Sequence, residues 1–261
     1  MKVLQLIKTA HGATWGYRQV REVIQRGIEV HVALPEGPMT EKYQAAGATI
    51  HIMQPSIALK APWKNRALSK ALRTLIDEIQ PDLVHSHFVA TTLLARLAMK
   101  KYSIPILFQV PGPLHLEHAL FRALDLRSAS KKDYWVGSCQ WTVDCYRRHG
   151  IAAERLGLSY YGIDSDAFQE KKKKAVGNIR EELGLVPDTK IVGMVAHFYG
   201  PKYFLGQRRG LKGHEDLIDA MCALQSERPD LHCAIIGGPW GNSSRYFERV
   251  KRYAQRNGAK N

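Results

Sequence analysis

Short apolar runs alternate with amphipathic helical patterns along almost the whole chain, and this alternation restricts the fold more than any other feature. Residues 191–196 form a continuous apolar run, which is typical of a buried strand. Leu68–Ile79 carries apolar residues at helical spacing and ends before Pro81. Strands that alternate with helices indicate an α/β fold, with a parallel sheet covered by helices on both faces. The predicted strands are Lys2–Ile7, Glu29–Leu34, Thr49–Met53, Leu83–His87, Ile104–Val110, Tyr134–Cys139, Ile191–Ala196 and Leu231–Ile236.

The pattern is interrupted between about residues 170 and 190, where a run of four lysines precedes a Pro187-Asp188 turn. We therefore predict a first domain over residues 1–170, a linker over 171–189 and a second domain over 190–261. The second domain has only two predicted strands, and both are apolar without alternation. Such strands normally have neighbours at both edges. We expect this half to lean on the first domain, to lean on another chain, or to be part of a larger domain.

The charge balance is strongly basic, with 38 Lys and Arg against 24 Asp and Glu and a formal net charge of +14. This excess favours anionic partners, among them phosphorylated ligands, an anionic membrane surface and nucleic acid. Nucleic acid is not expected, because no helix-turn-helix, zinc-finger or RNP pattern is present. No apolar stretch approaches the roughly 18 to 20 residues that span a bilayer. With four scattered cysteines, we expect a cytoplasmic protein, with peripheral membrane contact as an open option.

The loop after the first strand contains Gly12 and Gly16 just before a helix. Free backbone N–H groups at a helix start, approached closely because glycine has no side chain, suit a phosphate. A plain tight turn explains the same glycines equally well. The loop matches neither a Walker A sequence nor the GxGxxG fingerprint of dinucleotide oxidoreductases.

A second loop, residues 197–215, follows the first strand of the second half and is rich in glycine and cations. It carries Lys202, Arg208, Arg209 and Lys212 immediately before a predicted helix. Arginine can bind a phosphate through two parallel hydrogen bonds, and a helix N-terminus favours the same charge. We predict a diphosphate site here, bordered by Gly238 after the next strand.

Four histidines lie close to the ends of two successive predicted strands: His85, His87, His115 and His118. A metal site is one interpretation, but no carboxylate or cysteine joins them at ligand spacing, and we predict no metal. A structural role for each histidine is favoured. A polar role of His115 or His118 in the crevice beyond the strand ends stays open.

Three segments, in the same order along the chain, resemble motifs of glycosyltransferase family 4. Residues 81–87 (PDLVHSH) resemble its PDxVHxH strand, and residues 161–164 (YGID) with Phe168 resemble its NGxD…F turn. Residues 193–196 (GMVA) and 211–220 (LKGHEDLIDA) are similar to its GxxxR…KGxxxLIxA segment.

The resemblance implies a GT-B fold of two Rossmann-like domains, the second incomplete here, with the active site in the cleft between them. It also implies sugar transfer from a nucleotide-sugar, with retention of configuration, to a polysaccharide or glycolipid acceptor. The nucleotide-sugar is a co-substrate, and no cofactor is expected. Lys212 matches the lysine that holds the donor diphosphate. Because His197 stands at the family's arginine position, Arg208 or Arg209 would supply the missing charge. Gly16 is the best match to the family's phosphate-side glycine.

Two departures from the family pattern concern catalysis. Pro111 stands where the family often has a histidine near the donor sugar, so we predict that His115 or His118 takes that role. The acidic E-x7-E motif of the family does not occur in these residues. The alternative prediction is a non-catalytic remnant that binds a nucleotide or a partner protein.

Overall fold

The computed structural model describes residues 1–12, 14–174, 177–203, 206–241 and 243–259, with the side chains of 171–174 left aside. The chain divides into two compact units, Met1–Phe168 and Gln169–Asn261. Phe204 and Leu205, in the middle of the cation-rich loop, lie outside the described residues.

The first unit is built on a parallel sheet of seven strands in the order β3-β2-β1-β4-β5-β6-β7. The strands are β1 Lys2–Leu6, β2 Glu29–Leu34, β3 Thr49–Ile52, β4 Leu83–Ser86, β5 Ile106–Val110, β6 Asp133–Gly137 and β7 Leu156–Leu158. The helices are α1 Thr14–Gln25, α2 Thr40–Ala45, α3 Asn65–Ile79, α4 Val89–Ala98, α5 Leu114–Glu117, α6 Ala119–Ser128 and α7 Gln140–Arg148. A further helix, α8 Ser165–Lys174, begins in this unit and ends in the second. Two short 3₁₀ turns cover Pro62–Lys64 and Ala153–Arg155.

Apolar residues cover both faces of this sheet, as a parallel α/β sheet requires. Leu4 and Leu6 belong to a buried cluster that includes Leu72 of α3. Ile7 belongs to a different cluster that includes Tyr43 of α2. Successive strand residues point to opposite faces, so each cluster occupies one side of the sheet. The predicted α/β class is confirmed.

The second unit contains β8 Lys190–Val195 and β9 Leu231–Ile236, which pair in parallel. Its helices are α9 Ile179–Glu182, α10 His214–Leu224 and α11 Ser244–Arg256. A small core joins Phe198, Ile218, Tyr246 and Val250. Within the described residues the sheet has these two strands, and Val195 is 81% exposed at the end of β8.

Most predicted strands lie within two residues of the observed ones, but two segments differ. The three-residue β7 was missed because Gly157 sits at its centre and no alternating pattern marks it. Residues 171–174, predicted as part of a linker, continue α8. In the described part of the chain, no helix combines the length and apolarity needed to cross a bilayer.

Candidate functional site

The carboxyl ends of β1 and β4 form the topological switch point of the first unit. The order runs from β1 through β2 to β3 on one side and from β4 to β7 on the other, and ligands of α/β sheets bind at such points. Gly12 is exposed here with φ +66°, a conformation that favours glycine. Gly16 is buried in α1, where an added Cβ would lie 2.8 Å from the Tyr43 hydroxyl. Gly16 therefore lets α1 and α2 pack closely, while Gly12 shapes the exposed loop.

A row of buried polar side chains crosses the sheet under α1, and we call these five residues the polar ladder. They are Gln5, His87, His85, Gln109 and Gln19. His87 Nε2 donates to Gln5 Oε1 at 2.8 Å, and the His85 and His87 rings lie 4.3 Å apart. Gln109 interacts with His85 and accepts from Gln19 Nε2 at 2.7 Å. Trp15 closes the row with its ring 4.7 Å from that of His87.

Burial lowers the pKa of His85 to about 4, and burial with the neighbouring His85 lowers the pKa of His87 as well. The folded-state pKa lies below the ordinary value of about 6.5, so the unfolded chain takes up the proton first as the pH falls. The contribution of these two histidines to the free energy of unfolding is therefore constant well above pH 6.5 and decreases as the pH falls through that value.

We expect the first unit to lose about 2 to 3 kcal/mol of unfolding free energy from His85 between pH 6.5 and 4.5. His85→Gln should flatten this pH dependence. Urea unfolding followed by tryptophan fluorescence tests it, since four of the five tryptophans lie in this unit. The exposed His149→Gln variant is the control. A wild-type slope retained in His85→Gln contradicts the prediction.

His115, one of the two predicted catalytic histidines, is part of a buried network. Its Nε2 lies 2.9 Å from Asp125 Oδ2 and 2.9 Å from the Tyr146 hydroxyl, which itself donates to Asp125 at 2.7 Å. Arg96 pairs with Asp125 at 2.8 Å and with Asp133 at 2.6 Å. Burial raises the pKa of Asp125, but His115 and Arg96 together hold it below its ordinary value. Both His115 and Asp125 thus have structural partners.

His118, the other predicted catalytic residue, lies between α5 and α6 with its ring 5.2 Å from that of Phe121. Its Nδ1 is buried and has no hydrogen-bond partner among the described residues. Among all the residues that the structure describes, no group of three His, Cys, Asp or Glu side chains is placed to hold a metal ion.

In the second unit, the structure separates the cations of the 197–215 loop. Arg209 bonds Asp216 at 2.6 Å and Asp219 at 2.7 Å, and these carboxylates raise its pKa. Arg208 is exposed, with no ion pair in the described ranges. Lys212 also has no ion pair there, and its Nζ lies 5.8 Å above the Tyr199 ring. Arg208 and Lys212, six and two residues before the first residue of α10, are therefore cations available to an anion.

An aromatic cluster that the sequence did not single out accompanies Lys212. The Trp240 ring lies 5.0 Å from that of His197 and 5.6 Å from that of Tyr199. These side chains follow the carboxyl ends of β8 and β9, where a ligand is expected. The sequence feature that could have indicated this cluster is an aromatic residue shortly after each strand, Tyr199 after β8 and Trp240 after β9. The arginine position of the family motif, His197, is thus part of an aromatic surface.

Two glycines are required for the shape of these loops. At Gly210 an added Cβ would lie 1.7 Å from the Tyr246 hydroxyl, and the Gly210 N–H donates to Glu215, which also accepts from Tyr246 at 2.6 Å. At Gly237, φ is +152° and a Cβ would lie 2.0 Å from the Ala196 carbonyl oxygen. Gly238 has open space around it, and its carbonyl accepts from Phe198 N–H at 2.9 Å.

We expect Gly210→Ala to destabilise the second unit by about 1 to 3 kcal/mol or more, because the methyl group overlaps buried Tyr246. Thermal unfolding is the measurement. Gly193→Ala, at a strand position with open space, is the control. Equal melting temperatures for the two variants contradict the prediction.

The sequence profile of Glycosyltransferase Family 4 matches residues 13–167, which is more than half of the chain. Similar proteins include D-inositol 3-phosphate glycosyltransferase 2 of Catenulispora acidiphila, 24% identical over 193 residues. A D-inositol 3-phosphate glycosyltransferase of Streptomyces bingchenggensis is 23% identical over 193 residues. Each match covers 68% of this chain and 42% or 40% of the relative. The chain thus matches about two fifths of these relatives' length.

Solved structures agree with the fold. Anabaena Alr3699/HepE in complex with UDP-glucose has a TM-score of 0.71 at 18% identity, covering 100% of this chain and 67% of that one. Sucrose-phosphate synthase from Thermosynechococcus elongatus has a TM-score of 0.66 at 14% identity, covering 99% and 68%. At these identities the likeness shows the fold alone, and it confirms the predicted GT-B type. By its sequence, the chain belongs to Glycosyltransferase Family 4.

Proposed function

We propose that this chain acts in sugar transfer from a nucleotide-sugar donor to a glycan or glycolipid acceptor, with retention of configuration and without a metal. The observation that carries the proposal is the pair of cations Arg208 and Lys212, which lack ion pairs among the described residues and precede the start of α10 by six and two residues in the sequence. A diphosphate is the anion that such a site suits, because cations and a helix N-terminus both favour negative charge.

The aromatic cluster adds a second part to the proposed donor site. Tyr199 lies under Lys212 and close to Trp240, so an aromatic surface adjoins the cation. Aromatic side chains pack well against planar rings, and a nucleobase offers one. In this proposal, Lys212 binds the diphosphate and the Trp240 side of the cluster faces the base.

The chemistry follows from where charge develops. As the bond between the sugar C1 and the diphosphate oxygen breaks, the sugar gains oxocarbenium character and the leaving diphosphate gains negative charge. Lys212 and Arg208 would stabilise that growing charge. Of the two predicted histidines, we assign the role of a polar group to His118, whose Nδ1 has no hydrogen-bond partner among the described residues. His115 is bonded to Asp125 and Tyr146 instead.

The acceptor and its location extend the proposal further. The net charge of +14 and the four lysines at residues 171–174 favour an anionic membrane surface, where each basic residue contributes about 1 kcal/mol. A glycolipid acceptor in the cytoplasmic leaflet would use that attraction. Binding to anionic vesicles that falls with rising salt is the expected result.

The experiment that tests the donor site uses UDP and UDP-glucose, the ligands of the solved Anabaena structures. We expect UDP to raise the melting temperature, as any ligand of the folded state does, and UDP-glucose to release glucose slowly. An oligonucleotide is the control and should have no effect. An unchanged melting temperature at millimolar UDP contradicts the proposed donor site.

A second candidate is a nucleotide-binding protein without transfer activity. It is favoured by Arg209, which is bonded to two carboxylates and so is less available to a ligand. UDP binding without glucose release from UDP-glucose, and without transfer to any acceptor, would favour this candidate.

A further inference from the structure

The second unit contains a cavity of about 280 Å³ between the end of α10, the start of β9 and the end of α11. Its lining includes Met221 and Cys222 from the last turn of α10, Leu231 and Cys233 from the first half of β9, and Ala254 from the last turn of α11. The candidate donor cations precede the first residue of α10. The cavity is therefore at the opposite end of α10 from the candidate donor site.

Two of the four cysteines of the chain line this cavity, one from the helix and one from the strand. Cys222 and Cys233 are both free thiols, and both are half-buried. The other two, Cys139 and Cys145, belong to the first unit. A single small cavity thus holds two thiols from different elements of one unit.

The packing of α10 on β9 places these two cysteines opposite each other. Ile218 of α10 and Ile235 of β9 belong to the same small core. Cys222 follows Ile218 by four helical residues, and Cys233 precedes Ile235 by two strand residues, so each cysteine shares the face of its neighbouring isoleucine.

The direction of α10 brings both steps to the same place. Because β8 and β9 are parallel, the helix that connects them runs in the opposite direction to β9. Four helical residues rise about 6 Å, and two strand residues span about 6.6 Å. Moving forward along α10 and backward along β9 by these equal distances leads from the isoleucine pair to the cysteine pair.

The electrostatics of the two thiols agree with this placement. Burial raises the pKa of the Cys233 thiol, and the neighbouring Cys222 raises it further. A like charge has this effect on a nearby group, at a separation of about 4 to 6 Å. A raised pKa makes Cys233 less often a thiolate, which is the nucleophilic form, so we assign the first step of any oxidation to Cys222.

We propose that Cys222 and Cys233 form a reversible disulfide when a hydroperoxide enters this cavity, and that the bond cross-links the end of α10 to the start of β9. The proposal stands on the second unit alone and does not depend on the proposed sugar transfer.

The reaction takes place in two displacements. The Cys222 thiolate attacks one oxygen of hydrogen peroxide, the O–O bond breaks, and the leaving hydroxide takes up a proton as water. Cys233 then attacks the sulfur of the resulting sulfenic acid, the S–O bond breaks, and a second water leaves. Each sulfur loses one electron, the peroxide gains two, and both thiol protons end in water.

The test treats the whole chain with a small excess of hydrogen peroxide and measures the masses of its tryptic peptides. Trypsin leaves both cysteines in one peptide, residues 213–245, because Arg228 is followed by a proline. We expect this peptide to lose two hydrogen atoms and to regain them with dithiothreitol.

The matched control is present in the same digest. Residues 133–147 form a second tryptic peptide with two cysteines, Cys139 and Cys145. Cys139 is the N-cap of α7 and Cys145 lies six positions further on, which turns the helix by about 240° and separates the two thiols. We expect the cross-link in residues 213–245 to form at least about tenfold faster than one in residues 133–147.

A variant tests the assigned order of the two steps. In Cys233→Ser the sulfenic acid has no thiol to react with, so dimedone should label Cys222. The absence of that label contradicts the order. A peptide 213–245 that keeps both thiols, or that gains oxygen without losing two hydrogens, overturns the disulfide. Equal rates in the two peptides also overturn it, because oxidation would then not depend on how α10 packs on β9.

Discussion

Lys212→Ala is expected to lower sugar transfer, or glucose release from UDP-glucose, by about 100- to 1,000-fold. Removing one preorganised group that stabilises transition-state charge costs on the order of 3 kcal/mol. Lys212 has no ion pair among the described residues and lies above Tyr199, so its ammonium group is available to the diphosphate. Acceptor binding should change little, because Lys212 is assigned to the donor diphosphate.

Two control variants make the Lys212 prediction specific. Lys251 also lies over an aromatic ring, with its Nζ 4.5 Å from the centre of the Phe247 ring. Lys251→Ala removes the same charge from the same unit, and we expect it to retain wild-type turnover. Arg209→Ala should affect stability more than turnover, because Arg209 is bonded to Asp216 and Asp219. The turnover of all three variants is measured by steady-state kinetics. Unchanged turnover in Lys212→Ala, or an equal loss in Lys251→Ala, would exclude the assigned role.

Arg96→Met is expected to destabilise the first unit by about 3 to 5 kcal/mol. The Arg96 side chain is 4% exposed and is bonded to both Asp125 and Asp133, which are buried as well. Removing the cation leaves two buried carboxylates without their ion-pair partner, although Asp125 still accepts from Tyr146 and Asp133 from Ser130. Breaking a buried ion pair has a cost of this size. Urea unfolding at pH 7 provides the measurement.

The same network offers a rescue experiment. Arg96→Met combined with Asp125→Asn and Asp133→Asn removes the uncompensated charges and should recover part of the lost stability. Arg147→Met breaks the exposed ion pair with Asp144 in the same unit, and it should cost less than about 1 kcal/mol. If Arg96→Met unfolds at the same urea concentration as Arg147→Met, the charges of the buried network do not carry the stability assigned to them.

The parallel sheet was predictable because most of its strands are short apolar runs in the sequence, separated by segments with helical spacing of apolar residues. Cys233–Ile236 is apolar throughout, a pattern typical of strands in a parallel sheet, and the strand that contains it, Leu231–Ile236, has the predicted bounds. Leu156–Leu158 has only three residues and a central glycine, so its pairing with β6 depends on tertiary contacts that no local pattern records.

The sequence predicted which loop carries the candidate cations, but not which of these cations other side chains hold. Arg208 and Arg209 are neighbours of the same type, and the sequence gives no reason to prefer one. The structure separates them because Asp216 and Asp219 both reach Arg209. In the same way, His115 is adjacent in sequence to Leu114 and Leu116, yet its partners are Asp125 and Tyr146, 10 and 31 residues away. Such distant pairings are set by the fold.

A helix that packs on a sheet only through leucine and valine can occupy several positions of similar free energy, because one apolar contact replaces another. The polar ladder removes this freedom from α1. Gln19 meets Gln109 at 2.7 Å, and a shift of α1 by one turn would leave that buried amide without its partner, at a cost of about 1 to 3 kcal/mol. The polar ladder thus sets the position of α1 along the sheet, and with it the positions of Trp15 and the glycine loop.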